Sequence, residues 1–311
     1  MSKTIVLTGG AGFIGSHVAD RLLKAGHRLH IIDDLSFGRE ANVPAGAVLH
    51  RMDIRSAEAA EAVRSLRPDA LIHLAAQIDV RRSLREAAHD ADINIVGGLN
   101  VLQAARDAGT GQVVFASSAA TYGTPPVFPT PEDRMGEPVS PYGLSKHTFE
   151  RYLGLFRDLY GMKTACLRFS NVYGPRQTVK GEAGAVAIFI RKILRKEPIV
   201  INGDGGQTRD YVFVTDVAEM VARAAEMGLD GAFNVSTGRE TSVNDLAALV
   251  LQAAGSTTAV EHVPAVPKED RRSCLDPRKS KEAAGWEATV ALPDGVRATW
   301  EHASQDPDFA A

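Results

Sequence analysis

The segment Gly9-Gly10-Ala11-Gly12-Phe13-Ile14-Gly15 does most to limit what this chain can fold into. It follows a short β-rich run, Lys3–Thr8, and opens the stretch Gly12–Ala25. There Phe13, Ile14, Val18, Leu22 and Leu23 fall near helical spacing. Gly9, Gly12 and Gly15 therefore sit between a strand and a helix. In that setting the first glycine allows a tight turn and the second lets the backbone approach a pyrophosphate. The third lets helix and strand pack closely, and the helix N-terminus faces the negative charge. Asp33 closes the next strand, Arg28–Ile32, where a carboxylate can bind ribose hydroxyls and repels a 2′-phosphate. The unit points to NAD rather than NADP. A purely structural βα turn with a solvated Asp33 is the competing reading.

The alternation continues. Strands at Ala47–His50, Ala70–Leu74, Gln112–Ala116 and Thr164–Phe169 are interleaved with helices at Ala57–Leu66, Leu84–Ala108 and Pro141–Tyr160. Repeated β-then-α units predict an α/β fold, a Rossmann-type doubly wound parallel sheet, over residues 1–170. After Asn171, Gly and Pro become frequent. Helices at Ala185–Lys196, Asp216–Met227 and Ser242–Ala254 are separated by short strands, which predicts a smaller C-terminal α/β lobe over 171–311. Tyr211–Val214 and Ala232–Val235 are strand-like and can return to the main sheet.

At 311 residues, 44% of them apolar, the chain can bury a substantial core. A net charge of −3 with no long basic block argues against nucleic acid. No apolar run is long enough to cross a bilayer. Met1-Ser2-Lys3-Thr4 enters a strand without the features of a leader peptide, so a cytoplasmic protein is expected. Cys166 and Cys274 form no disulfide framework, and no Cys/His spacing suggests a metal.

Chemistry is expected at the strand ends, where open parallel sheets place their sites. Asp53-Ile54 closes the third strand and can frame an adenine, although an ordinary loop aspartate fits equally well. Leu74-Ala75-Ala76 closes the fourth with small residues over which a ligand can lie, or which simply pack. Tyr142 and Lys146 are spaced i, i+4 and share one helix face. A phenol with a reference pKa near 10 is a poor base at neutral pH, and a nearby ammonium favours the phenolate. Ser117-Ser118 closes the fifth strand, where the Ser118 hydroxyl can bond a substrate oxygen that loses its proton. A surface Tyr–Lys pair and a strand-end serine cap are the structural alternatives. Arg81 and Arg82 read as solvated helix-start residues that can also approach a ligand. His73 reads as a buried strand residue. No histidine pairs with a strand-end nucleophile, so a hydrolase triad has no support.

Together, TGGAGFIG at Thr8–Gly15, Asp33, Asp53, HLAA at His73–Ala76, Asn94, SSAATYG at Ser117–Gly123, YGLSK at Tyr142–Lys146, RFSNVYGPR at Arg168–Arg176 and GDGGQTRDYVFV at Gly203–Val214 carry a resemblance. The chain resembles, nearly end to end, the extended short-chain dehydrogenase/reductases of the NAD-dependent epimerase/dehydratase family. The resemblance adds Phe13, Ile14, Asn94 and Phe169 to the cofactor site. It implies that Tyr142 takes the C4 hydroxyl proton of a UDP-sugar. Dehydratases of the family carry an acid pair directly after the serine, and decarboxylases keep a glutamate nearby. Here those positions are Ala119 and Ala120. That leaves 4-epimerisation of a UDP-hexose (UDP-glucose/UDP-galactose, with room for N-acetylated forms), in which the hydride is returned. A UDP-glucuronate 4-epimerase and a net oxidoreductase are the alternatives.

For the substrate, the resemblance implies Asn171 and Arg209 at the diphosphate and Val186 and Asn202 at the uracil. It places Glu269 at the ribose and Ser273 at a gate beside C2 of the sugar. Val266 replaces a second phosphate arginine, a charge that Lys268, Arg271 or Arg272 can supply. The family's homodimer would pack the 84–108 and 141–160 helices into a bundle. Leu153, Leu155, Phe156 and Leu159 serve either that interface or the core.

Overall fold

Ile5, Val6 and Leu7 are all inaccessible to solvent, so both faces of their strand are covered. That strand is β1 (Thr4–Thr8). It lies inside a seven-stranded sheet with β2 (Arg28–Asp33), β3 (Val48–Arg51), β4 (Ala70–His73), β5 (Gln112–Ser118), β6 (Lys163–Phe169) and the late strand Gly231–Val235. The computed structural model describes residues 2–178, 183–265, 271–307 and 309–310. The order across the sheet is 231–235, β6, β5, β4, β1, β2, β3, and every pairing is parallel. Chain direction across the sheet reverses between β1 and β4, which opens a crevice at their C-terminal ends.

Two apolar layers cover the sheet. Val18 and Leu22 of helix Phe13–Lys24 pack with Val217 and Val221 of helix Val214–Met227 on one face. Val63, Val101, Leu102, Phe149 and Leu153 cover the other. Helix Pro141–Tyr160 has clear local signals at both ends. Ser140 Oγ accepts from Gly143 N at 3.1 Å, Pro141 occupies the first turn, and Gly161 ends the helix at φ +69°. Leu153 and Phe156 on this helix face the core, whereas Leu155 and Leu159 are exposed.

The expected helix over 84–108 is instead broken. Helices Val80–Arg85 and Ala87–Ala91 lead into a π turn, Asp92–Gly97, before helix Gly98–Asp107 resumes. Two tight contacts follow the π turn: a Cβ on Gly97 would meet Ile54 and Arg55 at 3.0 Å, and one on Gly98 would meet the Phe149 ring at 2.6 Å. A wide turn here also brings Asn94 inward.

In the second half, the Ala232–Val235 run does return to the main sheet, as strand Gly231–Val235 against β6. Tyr211–Val214 does not. Its first three residues pair in parallel with Asn171–Tyr173, and Val214 begins a helix. Strand Ile199–Asn202 pairs with Val260–Val263, and Thr208–Arg209 lies between Thr241–Ser242 and Arg272–Ser273. Val186, Phe189, Ile190, Leu246, Val250 and Val296 form a separate core under these short strands. Among the described residues, no helix is long and apolar enough to cross a membrane, and no His/Cys/Asp/Glu cluster could hold a metal ion.

Candidate active site

The glycine turn is closed by contacts that only glycine tolerates. Gly9 has φ +72°, and a Cβ there would lie 2.7 Å from Ala75 N; one on Gly15 would lie 2.0 Å from Gly9 O. Ala75 N also donates to Thr8 Oγ1 at 3.2 Å, so the β1 and β4 ends lock together. Helix Phe13–Lys24 begins after Gly12 with no side-chain cap, so side chains leave its first N–H groups to a ligand. Asp33 is buried beside the turn. Its carboxylate accepts from Ala11 N at 3.0 Å and Leu35 N at 2.9 Å. Burial pushes its pKa up, and the two backbone donors pull it back. An uncapped helix start, a cradle without Cβ atoms and a carboxylate at the end of β2 fit the pyrophosphate and ribose of NAD.

The neighbouring strand ends differ from one another. Asp53 pairs with Arg55 at 2.5 Å, and Arg55 reaches Asp92 at 2.6 Å, so Arg55 ties the β3 exit to the π turn. That hydrogen bond holds the Asp53 carboxyl below its usual range. Ile54 is buried. Asn94 is 2% exposed; its Oδ1 accepts from Gln77 N at 2.8 Å. Its Nδ2 lies within hydrogen-bond reach of Gln77 O, Asp90 and Ser145. In this structure Asn94 fixes the β4 exit and the residue before Lys146. His73 is buried as expected. It bonds Thr8 Oγ1 at 2.7 Å, and burial pushes its pKa down to about 3.

A cavity of about 480 Å³ opens between the two halves of the chain. Ser118, Tyr142, Phe169, Asn171, Asn202, Arg209 and Ser273 all line it, although they are spread over more than 150 positions of sequence. Tyr142 is set by Ser83, whose Oγ accepts from its N–H at 3.2 Å. Lys146, 4% exposed, donates to Ala116 O at 2.9 Å and lies 5.8 Å from the centroid of the Tyr142 ring. Ser118 Oγ accepts from Ala120 N at 3.1 Å, so its hydroxyl hydrogen is not used by that bond.

The remaining expectations separate cleanly. Ser273 pairs directly with Arg209 across two short parallel strands. The carboxylates of Asp210 and Asp216 are taken up by Thr237 and Gly238 and by Thr289 and Val290, respectively. The side chain of Val186 is 1% exposed and lies in the C-terminal core, because the apolar face of helix Ala185–Leu194 turns inward. Val266, Lys268 and Glu269 lie outside the described residues. Arg271 pairs with Asp204 in an exposed position. Arg272 pairs with Glu240, lies 4.7 Å over the Phe128 ring and lines the cavity.

Arg81 also lines the cavity, in keeping with the second of its two readings, an approach to a ligand. Helix Val80–Arg85 starts at the crevice because Asp79 caps it, accepting from Arg82 N at 2.8 Å. Tyr122 and Cys274 line the cavity too and were missed. The sequence signals for Tyr122 are its position four residues after a strand end and its place in the SSAATYG motif. Among the described residues, the charged side chains of the cavity wall are Arg81, Arg209 and Arg272, and no carboxylate joins them. Such a wall suits a diphosphate.

A family model described as the NAD dependent epimerase/dehydratase family matches residues 5–236. The UDP-glucose 4-epimerase of Mycolicibacterium smegmatis is 42% identical over 306 residues, covering 96% of this chain and 97% of that one. The structure of UDP-glucose 4-epimerase from Thermotoga maritima with UDP-glucose superimposes with a TM-score of 0.93 at 42% identity, covering 97% of this chain and 99% of that one. The NAD complex of the Thermus thermophilus UDP-glucose 4-epimerase gives 0.90 at 41% identity, covering 96% and 98%.

Proposed function

We propose that this chain, which belongs to the NAD dependent epimerase/dehydratase family, interconverts UDP-glucose and UDP-galactose by inverting C4 of the sugar. It is an NAD-dependent isomerase. Gly9, Gly12, Phe13, Ile14 and Asp33 would hold the cofactor's pyrophosphate and adenosine end, and Lys146 its nicotinamide ribose. Bound NAD supplies a reversible hydride acceptor at C4.

The chain's own residues supply the rest. Ser118 bonds the C4 oxygen, and the Tyr142 phenolate takes its proton and later returns one. The Lys146 ammonium favours that phenolate. Arg209 and Asn171 hold the diphosphate while the keto sugar turns over between the two faces. One observation carries the reading: Ala119 and Ala120 line the cavity beside Ser118. Neither can move a proton, so elimination has no acid or base at that place.

The test is turnover of UDP-galactose to UDP-glucose by protein purified with its cofactor and given none in addition. NADH accumulating in proportion to product would point instead to a net oxidoreductase. Tyr142→Phe should keep NAD and lose turnover; full activity in that variant would refute Tyr142 as the base.

Two features of the wall bear on the sugar. Ser273 leaves room beside Arg209, which favours turnover of UDP-N-acetylglucosamine as well. Arg81 offers a cation to a uronate, so UDP-glucuronate belongs in the same assay. The exposed Leu84, Leu144, Leu155 and Leu159 favour a homodimer through their helices, to be checked by sedimentation.

A further inference from the structure

Glu150 stands four residues after Lys146 and eight after Tyr142, on the same face of helix Pro141–Tyr160. Its Oε1 accepts from Ser117 Oγ at 2.5 Å and from Arg168 Nε at 3.0 Å, and its Oε2 accepts from Arg168 Nη2 at 2.7 Å. The two side chains of the pair are only 6% and 7% exposed. Arg168 Nη1 donates to Tyr122 Oη at 2.9 Å and to Glu132 O at 3.0 Å. The guanidinium also lies 4.8 Å over the Tyr122 ring. Tyr122 Oη in turn donates to Asn234 Oδ1 at 2.6 Å. Asn234 Nδ2 donates to Thr130 O at 2.9 Å and Asp276 O at 3.0 Å.

Neither Glu150 nor Arg168 lines the cavity, yet their bonds end on residues that do or that adjoin it. Ser117 precedes Ser118, and Tyr122 and Thr130 form part of the wall. A buried ion pair is weak support for stability, because apolar packing of the same volume often does as well. What apolar packing cannot provide is direction. The guanidinium fork fixes β5, β6, the 118–122 turn and the Tyr142–Lys146 helix in one mutual orientation.

We propose that the Glu150–Arg168 pair positions the reacting centre, fixing Ser118 (through Ser117) and the Tyr122–Thr130 wall against the helix that carries Tyr142, and so sets kcat rather than substrate affinity. The inference rests on the proton-transfer reading above. Misplacement of reacting groups by about 1 Å costs on the order of a hundredfold in rate. Arg168→Lys keeps the charge and loses the fork. It should lower kcat by about tenfold to a hundredfold while KM moves less than about threefold. Tyr122→Phe removes one hydroxyl and should produce a smaller loss in the same direction, and it carries the test if Arg168→Lys does not fold.

Both variants are measured as NAD-loaded protein with UDP-galactose. Amide hydrogen exchange over residues 117–123 is measured without substrate and should speed up in each folded variant. Unchanged kcat, a rise in KM that accounts for the whole loss, or unchanged exchange over 117–123 overturns the positioning role. If the wild-type protein itself fails to epimerise UDP-galactose, the proposed function falls, and the exchange comparison still decides this inference.

Discussion

Lys146 donates a hydrogen bond to the carbonyl oxygen of Ala116, 2.9 Å away, and so pins the helix carrying Tyr142 to the end of β5. The bond places an ammonium inside the protein, 5.8 Å from the centroid of the Tyr142 ring. Burial pushes its pKa down to about 8, against the opposing pull of Asp90 and Glu150.

That depression has a definite sign in stability. The folded-state value lies below the unfolded one, so the unfolded chain binds more protons between about pH 8 and 10.5, and this site's contribution to stability rises across that window. Lys146→Met should remove a rise of about 3 kcal/mol between neutral pH and pH 10.5, read from denaturant titrations of both proteins. The same variant removes the ammonium that favours the Tyr142 phenolate, so its residual turnover should be low at neutral pH and climb as the pH rises. A flat pH profile in the variant would separate Lys146 from the phenol.

Gly15→Ala tests the turn. The new Cβ would lie 2.0 Å from Gly9 O, and neither backbone can retreat without opening the contact between Gly9 and Ala75. The variant should lose at least about 2 kcal/mol of stability and purify without NAD. Thermal unfolding and the absorbance of cofactor released on denaturation measure both effects.

Arg209→Lys tests the diphosphate assignment. A lysine keeps the charge and loses the planar fork. Hydrogen bonds to a charged group contribute about 1.5–3 kcal/mol, so UDP affinity should fall by about tenfold or more, with a smaller change in kcat. Calorimetric titration with UDP reads this directly. Unchanged affinity would remove Arg209 from the site.

Ser273→Tyr tests the gate. The ring would occupy space beside Arg209 on the cavity wall. Turnover of UDP-N-acetylglucosamine should be lost, while UDP-glucose retains activity within about tenfold. Parallel loss of both substrates would mean that Ser273 supports the wall and does not discriminate.

The most local features were also the most legible. The Gly9–Gly15 turn, the helix Pro141–Tyr160 and the Tyr142–Lys146 spacing depend on neighbours a few residues apart, and each stands where its pattern places it. The break at 92–97 was not legible. Its cause is the packing of Gly97 on Ile54 and Gly98 on Phe149, contacts about 40 to 50 residues apart in sequence. The burial of the Val186 side chain was not legible for a related reason: helical spacing shows that one face is apolar, but not which neighbouring layer that face meets.

By itself the sequence determined the glycine turn between strand and helix, the alternation that yields a parallel sheet, and the placing of Tyr142 and Lys146 on one helix face. All three follow from backbone sterics and side-chain period. Only the tertiary structure decided which distant residues share one volume. It brought Arg81, Arg272 and Tyr122 to the cavity and joined Glu150 to Arg168 beneath it. It also gave the C-terminal segment 231–235 to the large sheet. Those choices depend on long-range burial, where each polar group must find a partner that no local pattern specifies.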